Sequence, residues 1–383
     1  MGLTSGAFLG LLIVVAVGLM TVVIWGWPKF AKPGIGPILA RIGLFFTAQV
    51  TLIMVLLAAV NNYFLFYASW SDLMGTNNQA VHVQANADAD GAATPQGAGR
   101  PLARQATSLG QKKKKADPAR DGRIEQVQIQ GDRTGLTTRA FVFLPPQYFQ
   151  PKFANRRFPV MYDFTGFPGD PRQLITRLGV PQMAAKEMNA GRAQPMVIVM
   201  MHPSPDSVMP RDTECTDVPY GPQVLSFYTE DVPERLMSTY RVATGYHGWG
   251  AMGDSTGGYC AVKLAMLRSD RFTAAVSMAG YFYERKDWQT GDLYGGSKNV
   301  RADNNLITRL QHLPPPPVSV LITTSPDGER DFGEARRFLQ LARVPMSTDK
   351  ILVPGGGHNP HTWKRVTPLA LQWMSRHLTY EGG

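Results

Sequence analysis

The chain has 383 residues, 18% of them charged, and a formal net charge of +10. That length accommodates a full α/β domain together with additional segments. The basic balance alone would suit a nucleic-acid-binding protein, but its Lys and Arg residues are scattered apart from the run 112–115, and no nucleic-acid motif accompanies them. We therefore expect no nucleic-acid partner and interpret the run as a solvated segment.

The N-terminal region contains two long apolar stretches. Gly6–Trp25 is one, and the second, free of charged residues, extends from Ile42 to Trp70. Each is long enough to cross a bilayer. A cleaved signal peptide is the alternative for the first stretch, but it lacks a positively charged start and a second span follows it. The sequence predicts a two-helix membrane anchor over residues 1–71.

The basic residues near these stretches predict their orientation. Lys29, Lys32 and Arg41 lie between the two spans, whereas the next basic residue after the second span is Arg100. Short loops rich in Lys and Arg stay in the cytoplasm. We expect a two-pass protein of the cell membrane, with both termini and everything after the second helix outside the cytoplasm.

The next segment, residues 72–122, is rich in Ala, Gly, Gln, Asp and Lys and has few large apolar residues. Such a composition predicts a flexible linker. From Arg123 onwards apolar and polar residues alternate as in a folded protein, so we expect one domain over residues 123–383.

This domain alternates predicted strands with predicted helices, which favours a mostly parallel sheet with helices on both faces. The predicted strands are Ile124–Ile129, Arg139–Leu144, Phe158–Phe164, Pro195–Met201, Trp249–Met252, Phe272–Met278, Val318–Thr323 and Lys350–Val353. The predicted helices cover 223–240, 259–267, 334–342 and 363–377.

Gly253-Asp-Ser255-Thr-Gly257 has the pattern G-x-S-x-G, between an apolar run and a segment with helical spacing. In a nucleophile elbow the serine sits on a strained strand-to-helix turn, and side chains two residues before and after it would clash. Glycines at 253 and 257 meet that demand. The pattern predicts Ser255 as a nucleophile at the N-terminus of a helix, where developing negative charge is favoured.

A serine hydroxyl needs a base, and that base needs an orienting acid. His358 follows a predicted strand and three glycines, so we assign it as the general base, with His361 as its competitor. Asp327, the first acidic residue after another predicted strand, is our choice of acid. Asp331 and Glu334 remain alternatives.

The negative charge on a tetrahedral intermediate requires backbone N–H donors. We expect one from Thr256, which follows the nucleophile, and one from the loop 163–169, with Phe167 as the donor. The other histidines lack ligand spacing, so no metal site is expected, and no cofactor motif is present.

The chain has two cysteines, Cys215 and Cys260. An oxidising compartment outside the cytoplasm would allow them to pair. A bridge would then fix the loop around Cys215 near the elbow. Two unrelated buried thiols are the alternative.

From about Gln126 to the C-terminus the chain resembles the putative-esterase branch of the α/β hydrolases, which includes S-formylglutathione hydrolase, feruloyl esterases and mycolyltransferases. The resemblance lies in the following residues: Gly166-Phe167, Gly253–Gly257, Asp327, His358 and the spacing from His358 to Trp363. It implies an α/β-hydrolase fold and a Ser-His-Asp triad. Similarity to the mycolyltransferases would instead favour Glu334 as the acid. Thr165 stands where many hydrolases have histidine, a departure in the oxyanion loop.

These patterns together predict a membrane-anchored, extracytoplasmic serine esterase that acts through an acyl-enzyme, with an envelope lipid or glycolipid ester as substrate. An acyltransferase with the same triad, moving an acyl group to a sugar hydroxyl, is one alternative. A catalytically inactive hydrolase fold that serves as an envelope binding module is another.

Overall fold

The computed structural model describes residues 2–3, 5–64, 70, 102–109, 117–326, 329, 331–353 and 358–381. The chain divides into two compact units, Met1–His82 and Val83–Gly383.

The N-terminal unit contains two apolar helices. Helix α1 spans Gly6–Gly26. Ser5 caps its N-terminus, and the Ser5 side chain accepts a hydrogen bond from the Phe8 N–H. A short 3₁₀ turn separates it from helix α2, Ile35–Phe64. The segments Gly6–Phe30 and Ile35–Asn62 have mean hydropathies of 2.9 and 2.2, so both are long and apolar enough to cross a membrane.

Helix α2 begins seven residues before the charge-free stretch that predicted it. Arg41 therefore lies inside the helix, where its side chain donates to the Pro37 carbonyl at 3.4 Å. The difference has a simple cause. The charge-free stretch predicts only the apolar part of the span. The helix itself can include a charged residue near its end, because it continues until its backbone pattern is interrupted.

Within the described residues, the C-terminal unit is built on one sheet of nine strands, numbered in chain order and arranged as β1-β2-β3-β5-β4-β6-β7-β8-β9. The strands are β1 Arg104–Ala106, β2 Arg123–Gln130, β3 Thr137–Leu144, β4 Val160–Phe164, β5 Val197–Met201, β6 Trp249–Asp254, β7 Ala274–Met278, β8 Ser319–Thr324 and β9 Ser347–Leu352. The first strands pair antiparallel up to β5, and β5, β4, β6, β7, β8 and β9 pair parallel in that order. The predicted mostly parallel sheet is confirmed.

Helices cover both faces of this sheet. They are α3 Pro118–Asp121, α4 Val180–Asn189, α5 Val224–Ser226, α6 Val232–Met237, α7 Thr256–Leu267, α8 Lys298–Asn304, α9 Leu306–His312, α10 Phe332–Leu341 and α11 Pro360–His377. A π-helical turn, Phe227–Asp231, joins α5 to α6 within the predicted 223–240 helix. Alternating β4 side chains enter two cores: Tyr162 packs with α7 residues, and Met161 with α4 and α11 residues.

The sheet reaches further towards the N-terminus than the predicted domain boundary at residue 123. Strand β1 pairs antiparallel with β2, and the Leu102 N–H donates to the Thr239 hydroxyl at 2.9 Å. Residues 72–101 and 110–116 of the predicted linker lie outside the described residues. A polar composition conceals β1 because backbone pairing at a sheet edge needs no apolar side chains.

Because β4, β6, β7 and β8 run parallel, their carboxyl ends meet at one edge of the sheet. Loops at that edge carry the groups from which α/β proteins build their sites.

Candidate active site

Ser255 stands alone between the end of β6 and the start of α7. Its φ of 52° and ψ of −121° lie in a region that residues with side chains rarely adopt. A Cβ on Gly253 would lie 2.4 Å from the Gly257 backbone, and one on Gly257 would lie 2.3 Å from the Phe164 carbonyl oxygen. Only glycine fits at these two positions, so the backbone has the geometry of a nucleophile elbow.

The structure brings His358 to this serine. Its Nε2 lies 2.9 Å from the Ser255 Oγ, although the two residues are 103 positions apart in the chain. The competing His361 is an exposed residue in the first turn of α11. The imidazole of His358 also meets the Trp363 ring edge-on at 5.4 Å, the pair that the His-x4-Trp spacing singled out.

Burial lowers the pKa of His358 from its ordinary value. The negative charge of Asp331 opposes that shift and the positive charge of Arg285 adds to it. Although His358 as a whole is exposed, its Nε2 faces the Ser255 hydroxyl rather than solvent. A lowered pKa keeps the imidazole neutral, which is the form that accepts a proton.

Asp327, the predicted acid, lies outside the described residues. Of the two alternatives, Asp331 forms an ion pair with Arg285, and Glu334 accepts a hydrogen bond from the Tyr283 hydroxyl. Arg285 also lies 3.6 Å from Glu334. Both alternatives thus have partners other than His358.

The loop after β4 lies directly beside Ser255. A Cβ placed on Gly166 would come within 3.0 Å of the Ser255 Cβ, so the backbone of this loop touches the elbow. The Gly166 N–H donates to the Asp254 carboxylate at 2.9 Å, and the Thr165 N–H donates to the Met201 carbonyl at 3.1 Å. Phe167, the expected oxyanion donor, is the next residue in this anchored loop.

The contact from Asp254 was not anticipated from the sequence, although Asp254 occupies the variable position before the serine in the elbow motif. Burial raises the pKa of this carboxyl to about 7, and the Gly166 N–H acts against that shift. The side chain ties the elbow to the neighbouring loop. The sequence signal was an acidic residue placed at a position surrounded by apolar strand residues.

Cys215 and Cys260 form a disulfide with their Cα atoms 5.5 Å apart. Cys260 lies on α7, one turn after the elbow, and Cys215 belongs to the segment between β5 and α5. Around the bond lie buried polar residues that sequence patterns did not single out, namely Glu214, Lys263 and Tyr281. In the described part of the chain, no group of acidic, His or Cys residues has the arrangement of a metal site.

Comparison with known proteins agrees with this geometry. Residues 131–366, more than half of the chain, match the family described as "Putative esterase". The comparison with curated proteins found no match.

Solved structures show the same fold. An S-formylglutathione hydrolase from Agrobacterium tumefaciens is 15% identical with a TM-score of 0.57, over 70% of this chain and 99% of that one. A ferulic acid esterase is 20% identical with a TM-score of 0.52, over 67% and 98%. A fluorophosphonate-binding serine hydrolase from Staphylococcus aureus is 15% identical with a TM-score of 0.51, over 66% and 98%.

The nine-stranded sheet, the elbow at Ser255 and the extent of the family match lead to one conclusion. The chain belongs to the putative-esterase family, and its C-terminal unit is a serine carboxylic ester hydrolase with the α/β-hydrolase fold.

Proposed function

We propose that Ser255 is the nucleophile and His358 the general base of an esterase that works through an acyl-enzyme. The observation that carries the proposal is the 2.9 Å distance between the Ser255 Oγ and the His358 Nε2, at a serine held on a strained turn. A nucleophile and a base within hydrogen-bond reach are the signature of this chemistry. Asp327 is the proposed orienting acid.

In this mechanism the Ser255 Oγ attacks the ester carbonyl carbon while His358 Nε2 takes its proton. The tetrahedral intermediate collapses, the alcohol leaves with the proton from His358, and an acyl group remains on Ser255. Water, deprotonated by His358, then attacks the acyl-enzyme and releases the carboxylic acid. The acid holds the imidazole in orientation and stabilises its charged form throughout.

The N–H groups of Thr256 and Phe167 are the proposed oxyanion donors. Thr256 opens α7 immediately after Ser255, so its N–H has no partner within the helix. Gly166 uses its own N–H on Asp254, which leaves the Phe167 N–H as the next donor along the loop. Each such donor contributes about 3 kcal/mol to transition-state stabilisation.

We also propose that α1 and α2 anchor the esterase in a membrane, with the C-terminal unit outside the cytoplasm. Support comes from the two apolar helices and from Lys29, Lys32 and Arg41 around the loop between them. A disulfide is typical of an oxidising compartment, and Cys215–Cys260 agrees with that side. An anchored enzyme meets esters in the same bilayer, so its proposed substrate is an envelope lipid or glycolipid ester.

A membrane-impermeant fluorophosphonate probe tests catalysis and orientation together. The serine oxygen attacks the phosphorus atom, fluoride leaves and the proton passes to His358, so only an activated serine is labelled. On cells that express the full chain, we expect equal labelling before and after permeabilisation. Labelling only after permeabilisation would refute the orientation, and none in either state would refute the activated Ser255.

The substrate class has its own measurement. The full chain in lipid vesicles is supplied with a long-acyl ester in the same bilayer and, separately, with soluble p-nitrophenyl acetate. We expect both to be cleaved. Cleavage of the soluble ester alone would remove the lipid part of the proposal.

The pH dependence follows from the lowered pKa of His358. The base acts in its neutral form, so kcat/KM should fall about tenfold per pH unit only below that pKa, and stay flat from pH 7 to 8. The midpoint should therefore lie below the ordinary value of about 6.5. Steady-state kinetics from pH 4.5 to 8 measure it.

Two variants provide opposite controls for this profile. Arg285→Gln removes a positive charge that lowers the His358 pKa, so the midpoint should rise. Asp331→Asn removes a negative charge that raises it, so the midpoint should fall. A wild-type midpoint at or above 6.5, or identical midpoints in both variants, contradicts the assignment of this limb to His358.

A further inference from the structure

We propose that Tyr281 is a positioning residue for the oxyanion hole. It holds Thr256 against the segment around Glu214 and Cys215, which the disulfide joins to α7. This inference rests on the proposed function, since it concerns the donor that Thr256 supplies. The Tyr281 hydroxyl donates to the Glu214 carboxylate at 2.8 Å and accepts from the Thr256 hydroxyl at 3.1 Å. All three side chains are buried.

Glu214 is itself held in place by three further hydrogen bonds. Its carboxylate accepts from the Arg285 N–H at 3.0 Å, its carbonyl accepts from the Lys263 Nζ at 2.6 Å, and its own N–H donates to Asp212 at 3.0 Å. Glu214 and Cys215 have φ values of 46° and 53°, a left-handed backbone that non-glycine residues adopt only with support. The Glu214 carboxylate that accepts from Tyr281 is therefore held in position.

Three residues of α7 face this loop. Thr256, Cys260 and Lys263 are spaced i, i+4 and i+7, which places them on one side of the helix. Cys260 is bonded to Cys215, and Lys263 also donates to the Thr216 hydroxyl at 2.9 Å. The disulfide and the lysine hold the middle of the helix, and Tyr281 holds its first residue.

Holding the first residue matters because of what its backbone does. The Thr256 N–H must point at the position where the oxyanion forms. A donor that is free to move stabilises the transition state less, while substrate binding is little affected. Burial of the bonded groups also raises the cost of leaving either hydroxyl without a partner. Loss of the Tyr281 hydroxyl should therefore act on kcat and leave KM in place.

The test is Tyr281→Phe in the full chain. The ring keeps its packing against Tyr259, at 4.9 Å between centroids, while the hydroxyl is lost. We expect kcat for p-nitrophenyl acetate to fall about tenfold or more, less than the loss of a whole oxyanion donor, with KM changed by less than about twofold. The affinity of a boronic acid, which forms a tetrahedral adduct on the serine, should fall by the same factor as kcat/KM.

Tyr240→Phe is the matched control, because its buried hydroxyl also donates to a glutamate, Glu125, at 3.0 Å. It should lose comparable thermal stability and keep its kcat. Thr256→Val removes the other end of the same hydrogen bond and should give the same fall, and the double variant should fall no further. If Tyr281→Phe does not fold, Thr256→Val decides.

Equal kcat for Tyr281→Phe and Tyr240→Phe would overturn the inference, as would additive losses in the double variant. Failure of the proposed function looks different. In that case the wild-type chain itself is not labelled by a fluorophosphonate, whereas failure of this inference alone leaves wild-type labelling intact and the two tyrosine variants equal.

Discussion

Replacing Ser255 with alanine should lower kcat for ester hydrolysis by about a millionfold, the loss seen when the nucleophile of a serine hydrolase is removed. The attacking oxygen then has no substitute in the site, and His358 loses the hydroxyl that it contacts at 2.9 Å. Ester turnover and fluorophosphonate labelling measure the effect. A residual rate above uncatalysed hydrolysis would reflect the oxyanion donors and substrate binding alone.

The fold should survive this substitution. Alanine keeps the Cβ that already tolerates the φ of 52°, and the half-buried hydroxyl of Ser255 contributes little to packing. The thermal midpoint should therefore stay close to that of the wild type. The control is Ser347→Ala on the edge strand β9, which removes a hydroxyl that is hydrogen-bonded to Ser319 of β8. This variant should retain full activity. Persistent labelling of Ser255→Ala would assign the nucleophile elsewhere.

Asp327→Asn should lower kcat by about ten-thousandfold if Asp327 is the orienting acid, because an amide presents the wrong partner to the imidazole. The assignment rests on its place after β8 and on the partners of its competitors. Asp331 is paired with Arg285, Glu334 accepts from Tyr283, and Glu329 accepts from the Thr324 hydroxyl at 2.7 Å. Steady-state kinetics of the single variants measure the contribution of each acid.

The competing variants separate the possibilities. Asp331→Asn and Glu334→Gln should each lower kcat by less than about tenfold, since Asp331 acts on His358 through its charge alone and Glu334 is bonded to Tyr283. The matched variant on the remaining acid, Glu329→Gln, should also leave turnover close to the wild type. If Asp331→Asn or Glu334→Gln shows the ten-thousandfold loss and Asp327→Asn does not, the acid is that residue instead.

The strongest sequence predictions concerned features whose physical demands act within a few residues. The elbow is one, because the close approach of the turn leaves room for glycine alone at 253 and 257. The alternation of strands and helices is another, because the period of apolar residues reflects which face each element buries. The two apolar spans also follow from composition and length alone.

The tertiary structure decided which distant residues meet. The approach of His358 to Ser255 joins residues 103 positions apart, and the Tyr281–Glu214 hydrogen bond joins residues 67 positions apart. No local preference specifies such contacts, because they depend on the order of strands in the sheet and on how the loops pack above it. The sequence alone determined that a serine sits on a glycine-flanked turn and that two apolar helices precede it. The packing of the sheet decided which histidine reaches Ser255 and which buried groups contact its neighbour Thr256. Burial strengthens such hydrogen bonds between distant residues.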